Sequence, residues 1–136
     1  MALKEAFSPN PEGVRVHLKK EFLDEDSDDY FERLKETVPW TKKEWKVGRF
    51  LPRMVYSYTP EIDPPNDALD ELMLLCSETY ECNAYAAWCN YYRDGNDHTP
   101  FHQDSYGKCV FTYSFGCSRT FVTQNIETGG GKQSMY

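Results

Sequence analysis

The sequence predicts an α+β fold, with helices concentrated in its first half and strands in its second. Two stretches carry apolar residues at helical spacing, one following an acidic run at residues 21–30 and one over residues 67–79. From residue 82 onward apolar residues recur at every second position, which is the spacing of a strand. A chain of 136 residues suits one domain.

The composition excludes several classes of protein. Apolar residues make up 40% of the chain and aromatic residues 15%, enough for a core, so wholesale disorder is not expected. No apolar run approaches the roughly 20 residues that span a bilayer, and the first ten residues lack the apolar region of a signal peptide. We therefore expect no membrane partner, and no feature implies a protein partner. The net charge of −7 argues against broad, charge-driven binding to nucleic-acid backbones, although a local basic groove fits.

The cysteines indicate a reducing environment. There are five, an odd number, and none forms a C-x-x-C pair. A disulfide scaffold and a zinc-ribbon site therefore both fit poorly. We expect reduced thiols and an intracellular location, in the cytoplasm or the nucleus.

The first elements are a short strand and a helix. Val14, Val16 and Leu18 alternate with polar residues, as in a strand. A helix follows, with Asp24 or Ser27 as its cap, and acidic residues in its first turn suit the helix dipole. Its apolar face is formed by Tyr30, Phe31, Leu34 and Val38.

An extended segment and a second helix come next. Residues 49–58 are rich in aromatics and predict an extended segment. The prolines of residues 60–67 cannot continue a helix or a central strand, so this stretch is a loop. Asn66 is a good cap for an amphipathic helix over 67–79. The apolar stripe of this helix is formed by Leu69, Leu72, Met73 and Cys76.

The second half predicts a series of strands. Residues 82–92 form the first, and a turn follows at 93–97. Two more strands are predicted at 109–115 and 119–123, separated by Gly116. After a turn at residues 127–131, the last five residues begin another strand. Since no closing element follows, we expect the chain to be the N-terminal part of a longer protein.

His102 and Asp104 are candidate metal ligands. On an extended strand, residues i and i+2 point to the same face, so these two side chains could bind one metal. Two histidines and one carboxylate form the facial triad of non-haem Fe(II) oxygenases. The alternative is an ordinary His-Asp pair at the surface.

Asn90 and Tyr92 precede this pair and lie on one face of the predicted strand 82–92. A buried amide or hydroxyl needs a hydrogen-bond partner. These two side chains could donate to a small carboxylate ligand beside the metal. Alternatively, they bond to the backbone across the sheet or lie at its wet end.

The run from Asn90 to Asp104 resembles the central motif of the AlkB-like 2-oxoglutarate/Fe(II)-dependent dioxygenases. It is most like the branch of nucleic-acid demethylases with N-x-Y-x-D-G-x-D-H before H-x-D. Residues 113–121 resemble that branch's S-[FL]-G-x-x-R-x-F strand pair. The resemblance covers about residues 14–125 by motif and by order of elements.

An upstream segment carries the same resemblance. Pro52-Arg53 and Tyr58 resemble the family's P-R-…-Y-G segment, with Thr59 in place of the glycine. The resemblance implies that Arg53, Tyr58 and Tyr106 are candidates for the substrate side of the site.

The resemblance implies a fold and a set of cofactors. The fold is a partial double-stranded β-helix (jelly roll) with N-terminal helices packed on it. Residues 1–80 would form the substrate-side layer and residues 81–136 the first half of the jelly-roll core of one domain. The family uses Fe(II), 2-oxoglutarate and ascorbate as reductant.

The same resemblance assigns roles to the motif residues. His102 and Asp104 would be metal ligands and catalytic residues, and Asn90 and Tyr92 would bind 2-oxoglutarate. The implied reaction oxidises an N-alkyl carbon of alkylated DNA or RNA, releasing the free base and an aldehyde.

The sequence also departs from the family. No histidine follows His102, and Arg119 is the only arginine after Gly116. The distal iron ligand and the arginine for 2-oxoglutarate are thus missing, and we expect residues 1–136 alone to be inactive. The segment 105–108 beside the implied substrate pocket is short. Two other functions stay open, namely the same oxygenase chemistry on a substrate other than nucleic acid and a non-catalytic binding module.

Residues 40–53 form the one basic stretch of an acidic chain, with aromatic residues interleaved. Such a pattern could stack on and steer a strand of nucleic acid. It could equally cover the jelly roll, with lysine stems packed along apolar surface. The basic residues are Lys42, Lys43, Lys46, Arg49 and Arg53.

Overall fold

A computed structural model of the chain describes residues 4–7, 16–18, 22–100, 102, 110–123 and 133–135. The chain divides into two compact units. The first comprises Met1–Phe31 and Ser114–Tyr136, and the second comprises Glu32–Tyr113. In the part of the chain that is described, no helix has the length and apolar character needed to cross a membrane.

The first unit contains two small antiparallel sheets. In one, β1 (Lys4–Phe7) pairs with β2 (Val16–Leu18). In the other, β6 (Phe121–Thr123) pairs with β7 (Gln133–Met135). Parts of the strands predicted around residues 14–18, at 119–123 and at the end of the chain are therefore confirmed. The turn predicted at 127–131 lies outside the described residues.

Gly116 lies in this unit, at the predicted strand break. Its φ angle is +81°, in the left-handed region that favours glycine. A Cβ atom at this position would lie 2.5 Å from Cε2 of Phe31. Both the backbone conformation and the close approach of the Phe31 ring therefore require glycine here.

Helix α1 (Ser27–Thr37) begins in the first unit and continues into the second. A short 3-10 turn at Asp24–Asp26 precedes it, so the helix predicted after the acidic run is confirmed. Leu23 caps the 3-10 turn without a side-chain hydrogen bond, so Asp24 is not the cap of that turn. Asp28 and Asp29 lie in the first turn of α1, where negative charge is favourable.

The second unit is a three-stranded antiparallel sheet with a helix. The strands are β3 (Thr41–Lys46), β4 (Arg49–Tyr58) and β5 (Ala87–Tyr91), in the order β3-β4-β5. Gly48, with φ of +76°, lies in the turn between β3 and β4. Helix α2 (Asp67–Thr79) follows the loop after β4. The predicted segments 49–58 and 67–79 are thus confirmed, whereas β3 was not predicted from the sequence.

The core of the second unit lies between α2 and one face of the sheet. Four buried residues form its centre, namely Val38, Tyr58, Leu69 and Met73. Partly buried side chains pack around them: Leu34, Trp40, Tyr56, Ala84, Ala87 and Cys89. Burial raises the pKa of the Cys89 thiol to about 11, so it stays neutral in this apolar setting.

The strand predicted at 82–92 is shorter than expected, because β5 covers only Ala87–Tyr91. The backbone N–H of Cys82 donates to the carbonyl of Ser77, and that of Ala84 donates to the Ser77 hydroxyl, each at 3.0 Å. These donors are held by the end of α2 and do not join a strand ladder.

The strand predicted at 109–115 is wrong for its described residues, 110–115, which form no strand. Their side chains instead contact α2 and the residue after it. The Tyr113 hydroxyl donates to the carbonyl of Leu72 at 2.8 Å. The Phe111 ring lies 5.1 Å from the ring of Tyr80 and 4.8 Å from that of Tyr113. The described residues therefore show an α+β fold, and the jelly roll stays a prediction.

Asn66 is the N-cap residue of α2. Its Oδ1 accepts from the backbone N–H of Leu69 at 3.0 Å, which confirms the predicted cap. Its Nδ2 donates to the hydroxyl of Thr37, at the end of α1, also at 3.0 Å. Arg33 of α1 forms an ion pair with Glu71 of α2. The cap residue thus also ties the two helices together.

We predict that Asn66→Ala lowers the free energy of unfolding by about 1–2 kcal/mol, the usual cost of losing a helix cap. Asn66→Asp keeps an oxygen that can accept from Leu69 and should cost less. Denaturant unfolding of the two variants and wild type measures the difference. Equal losses in both variants would contradict the capping role.

Candidate cofactor and metal site

The pairing of β4 with β5 brings the candidate site residues of the second unit together. Val55 lies directly opposite Asn90, and Ser57 lies opposite Trp88. Directly opposed residues point to the same face of an antiparallel sheet, and so do residues two apart in one strand. Arg53, Trp88 and Asn90 therefore share one face of this sheet.

The side-chain oxygen of Asn90 accepts two hydrogen bonds. Nε of Arg53 donates to Oδ1 at 2.6 Å, and Nε1 of Trp88 donates to the same atom at 3.0 Å. The amide oxygen is thus occupied on two sides. Within the described ranges, no hydrogen bond uses the Asn90 Nδ2, so this N–H₂ group remains to donate to a ligand.

Arg53 is a buried cation in this cluster. Only 8% of its surface is exposed. In addition to the hydrogen bond from Nε to Asn90, its Nη1 lies 3.5 Å from the carbonyl oxygen of His98. No carboxylate of the described residues forms an ion pair with it. Burying a charge is costly unless it is compensated, so this part of the sheet suits an anionic ligand nearby.

The turn after β5 is held in a fixed shape. The Arg93 guanidinium pairs with the buried Asp97 at 2.7 Å, and the Asp97 carboxylate also accepts from the Arg93 backbone N–H at 2.9 Å. The backbone N–H of His98 donates to the carbonyl of Pro52 at 2.8 Å. The predicted turn at 93–97 is confirmed, and it is tied to β4 beside Arg53.

Tyr92 and Thr99 meet across this turn. Their hydroxyl groups lie 2.7 Å apart in a hydrogen bond in which either group can donate. Tyr92 is partly buried, and each hydroxyl can both donate and accept. Thr99 is a partner that the sequence patterns did not indicate.

His102 has the tautomer that metal-binding histidines commonly use. Its Nδ1 lies 3.0 Å from the carbonyl oxygen of Pro100. A carbonyl only accepts, so Nδ1 carries a proton and donates in this contact. A backbone carbonyl that orients a ring in this way is typical around metal-ligating histidines.

The predicted metal pair is described only in part. Asp104 lies outside the described residues, as does Tyr106. Among the residues that the structure does describe, no group of three His, Cys, Asp or Glu side chains converges on a metal position. The pairing of His102 with Asp104 therefore stays a prediction. The donor chemistry of the described residues, an imidazole Nε2 and an amide N–H₂, fits a metal and a carboxylate ligand.

Tyr58, a predicted substrate-side residue, lies in the core with 1% of its surface exposed. Its hydroxyl donates to a carboxylate oxygen of Asp70 at 2.6 Å and accepts from the backbone N–H of Asn66 at 3.3 Å. The hydrogen bond to Asp70 raises the pKa of the Tyr58 phenol above its usual value. These contacts favour a structural role for Tyr58.

Comparison with known proteins yields one informative similarity. No protein-family model matches the chain, and no solved structure matches it. The chain is 31% identical over 135 residues to alpha-ketoglutarate-dependent dioxygenase alkB homolog 3 of Rattus norvegicus, a match covering 84% of this chain. The chain spans 46% of the length of that relative. This similarity agrees with the motif resemblance and suggests an AlkB-like dioxygenase.

We predict that Tyr58→Phe lowers the free energy of unfolding by about 1–3 kcal/mol, because the buried Asn66 N–H loses its acceptor. Tyr56→Phe is the matched control on the same strand, since no hydrogen bond of its hydroxyl is found in the described residues. Denaturant unfolding compares the two. A Tyr58→Phe variant as stable as Tyr56→Phe, but impaired in binding a methylated oligonucleotide, would instead support the substrate-side assignment.

Proposed function

We propose that this chain is part of an AlkB-like dioxygenase that uses Fe(II) and 2-oxoglutarate to remove alkyl groups from nucleic-acid bases, with ascorbate as reductant. The similarity to alkB homolog 3 carries this proposal. A match that covers 84% of the chain necessarily includes the middle of the sequence, where Asn90 and His102 lie. When bound, the iron and 2-oxoglutarate supply the oxidation of the N-alkyl carbon.

The residues around Asn90 support a carboxylate site. The amide N–H₂ of Asn90 is a donor, and the hydroxyl of Tyr92, two residues further along the chain, is the second donor of this proposal. Both would bind one carboxylate of 2-oxoglutarate. Arg53 is buried on the same face of the sheet, and its Nε donates to Oδ1 of Asn90.

In this proposal His102 and Asp104 hold the metal. The Nδ1–H of His102 is oriented by the Pro100 carbonyl, so Nε2 is the ring nitrogen that would coordinate the metal. Asp104 would contribute a carboxylate oxygen. These residues hold and orient the metal, while Asn90 and Tyr92 orient the co-substrate.

An aromatic and basic surface supports a nucleic-acid substrate. We define it as the hairpin of residues 41–50 together with Trp88. Trp45 and Phe50 each expose 52% of their surface, and Trp88 exposes 42%. Exposed rings next to cations are the features that stack on bases and attract phosphates.

The contacts of two lysines relate this surface to the candidate site. Nζ of Lys43 lies 5.2 Å from the centre of the Trp88 ring, and Nζ of Lys46 lies 4.8 Å from that of Trp45. Trp88 also donates to Asn90. A strand bound along the hairpin and Trp88 would therefore lie next to the proposed co-substrate site.

We predict that His102→Ala and Asp104→Ala each lower the affinity of the full-length protein for Fe(II) by at least about 100-fold, since losing a ligand costs more than losing a residue that orients one. Anaerobic calorimetry measures the affinity. His98→Ala is the control, because this variant keeps the backbone groups through which residue 98 contacts Pro52 and Arg53. Unchanged affinity in the His102 or Asp104 variant would contradict the metal assignment.

We predict that Asn90→Ala and Tyr92→Phe each weaken 2-oxoglutarate binding by about 1.5–3 kcal/mol, the value of a hydrogen bond to a charged acceptor. Tyr85→Phe, at a side chain that is 59% exposed, is the matched control. The measurement is the dissociation constant of 2-oxoglutarate in the full-length protein. Equal constants in wild type and in both site variants would count against their role.

We predict that replacing Lys43, Lys46 and Arg49 by Gln weakens binding to a methylated single-stranded oligonucleotide and lowers its salt dependence. The slope of log affinity against log salt should fall by about 0.7 for each lost phosphate contact. Trp45→Ala should cost about 1–3 kcal/mol of stacking. Lys35→Gln, on α1, is the control. Oligonucleotide binding that none of these changes affects would favour the same oxygenase chemistry on another class of substrate.

A further inference from the structure

The hydrogen bonds around Asn90 fix which end of its amide faces the protein. The two ends of an amide are told apart by their hydrogen-bond partners. Arginine and tryptophan side-chain N–H groups only donate, so the atom that both of them face is the oxygen. A flipped amide would set its N–H₂ against Nε of Arg53 and Nε1 of Trp88, donor against donor.

This arrangement determines what Asn90 offers to a ligand. A free asparagine amide offers an oxygen or an N–H₂ group with similar ease, and its oxygen would repel a carboxylate. With Oδ1 held by two donors, only the N–H₂ end is presented. The charged donor also polarises the amide, which strengthens the hydrogen bonds made by its other end.

Burial makes Arg53 the stronger of the two donors. Its Nε lies 2.6 Å from Oδ1 and only 8% of its surface is exposed, whereas Trp88 is 42% exposed and its hydrogen bond is 3.0 Å long. The second contact of the guanidinium, with the His98 carbonyl, holds it in place. These two contacts restrict the orientation of the Arg53 guanidinium at the oxygen end of the Asn90 amide.

We propose that Arg53 is a positioning residue for 2-oxoglutarate binding, with Trp88 as a second donor, and that both act through the amide of Asn90. This inference rests on the function proposed above. It differs from a direct contact between the Arg53 charge and the ligand. It also gives Arg53 a role other than contact with the nucleic-acid substrate.

A double-mutant cycle tests whether Arg53 acts through Asn90. We expect Arg53→Met to raise the dissociation constant of 2-oxoglutarate about tenfold in the full-length protein, as for other residues that orient a ligand-binding group. In an Asn90→Ala background, the same change should have no further effect. Arg33→Met, at an arginine that pairs with Glu71 on the two helices, is the matched control.

Trp88→Phe is the second test, because an exposed ring can be replaced without disturbing the sheet. We expect the dissociation constant of 2-oxoglutarate to rise about fivefold, which is the effect of losing a neutral donor. This effect should also vanish in the Asn90→Ala background. If Arg53→Met does not fold, Trp88→Phe still tests whether losing a donor to Oδ1 of Asn90 weakens 2-oxoglutarate binding.

The outcomes separate this inference from the proposed function. Wild-type binding that is unchanged in Arg53→Met and Trp88→Phe would overturn the positioning role and leave the proposed function standing. An equal loss with and without Asn90 would overturn it as well, because the residue would then act directly. Failure of the wild-type protein to bind 2-oxoglutarate would overturn both.

Discussion

The antiparallel pairing of β4 with β5 is the constraint on which the candidate site depends. It joins Val55 to Asn90 and Ser57 to Trp88, and in that register the Arg53 side chain reaches the Asn90 amide. A shift by one residue would turn every side chain of β5 to the opposite face. Asn90 would then point towards α2, and Cys89 would leave the core.

The register is in turn secured from the core side of the sheet. Tyr58 and Ala87 lie opposite each other and both belong to the core against α2. The Tyr58 hydroxyl joins Asp70 to the backbone of Asn66, the residue that caps α2 and contacts Thr37. One face of the sheet is therefore fixed by apolar packing and by a satisfied polar network, which leaves the other face to carry Arg53, Trp88 and Asn90.

The extent to which the sequence predicts this structure depends on how local each signal is. Helix α2 and its Asn66 cap follow from apolar spacing and a short-range hydrogen bond, and both are found as predicted. Strand β3 carries no such signal, because all six residues of T-K-K-E-W-K are exposed. Residues 82–86 have the period of a strand, but Ser77 accepts hydrogen bonds from the backbone N–H groups of Cys82 and Ala84. The period of the apolar residues does not specify which partner the backbone groups bind.

In the candidate site, too, local sequence patterns predict some residues but not their long-range contacts. Motif resemblance selected Asn90, Tyr92 and His102, but the contact between Arg53 and Asn90 joins residues 37 positions apart and depends on strand register. Trp88 donates to the same amide oxygen, a contact between side chains that no sequence pattern indicated. Such long-range polar contacts follow from the tertiary fold, and no local pattern contains them.

In the proposed function, the Asn90 amide presents its N–H₂ group to 2-oxoglutarate. The most direct measurement is nuclear magnetic resonance of the ¹⁵N-labelled side-chain amide of Asn90 in the full-length protein, with Zn(II) as a diamagnetic substitute for iron, during titration with 2-oxoglutarate. We expect a saturable shift of the two Nδ2 protons of Asn90, and no such shift for Asn83, an exposed asparagine before β5. Saturable binding of 2-oxoglutarate that leaves the Asn90 side-chain resonances unmoved would contradict it.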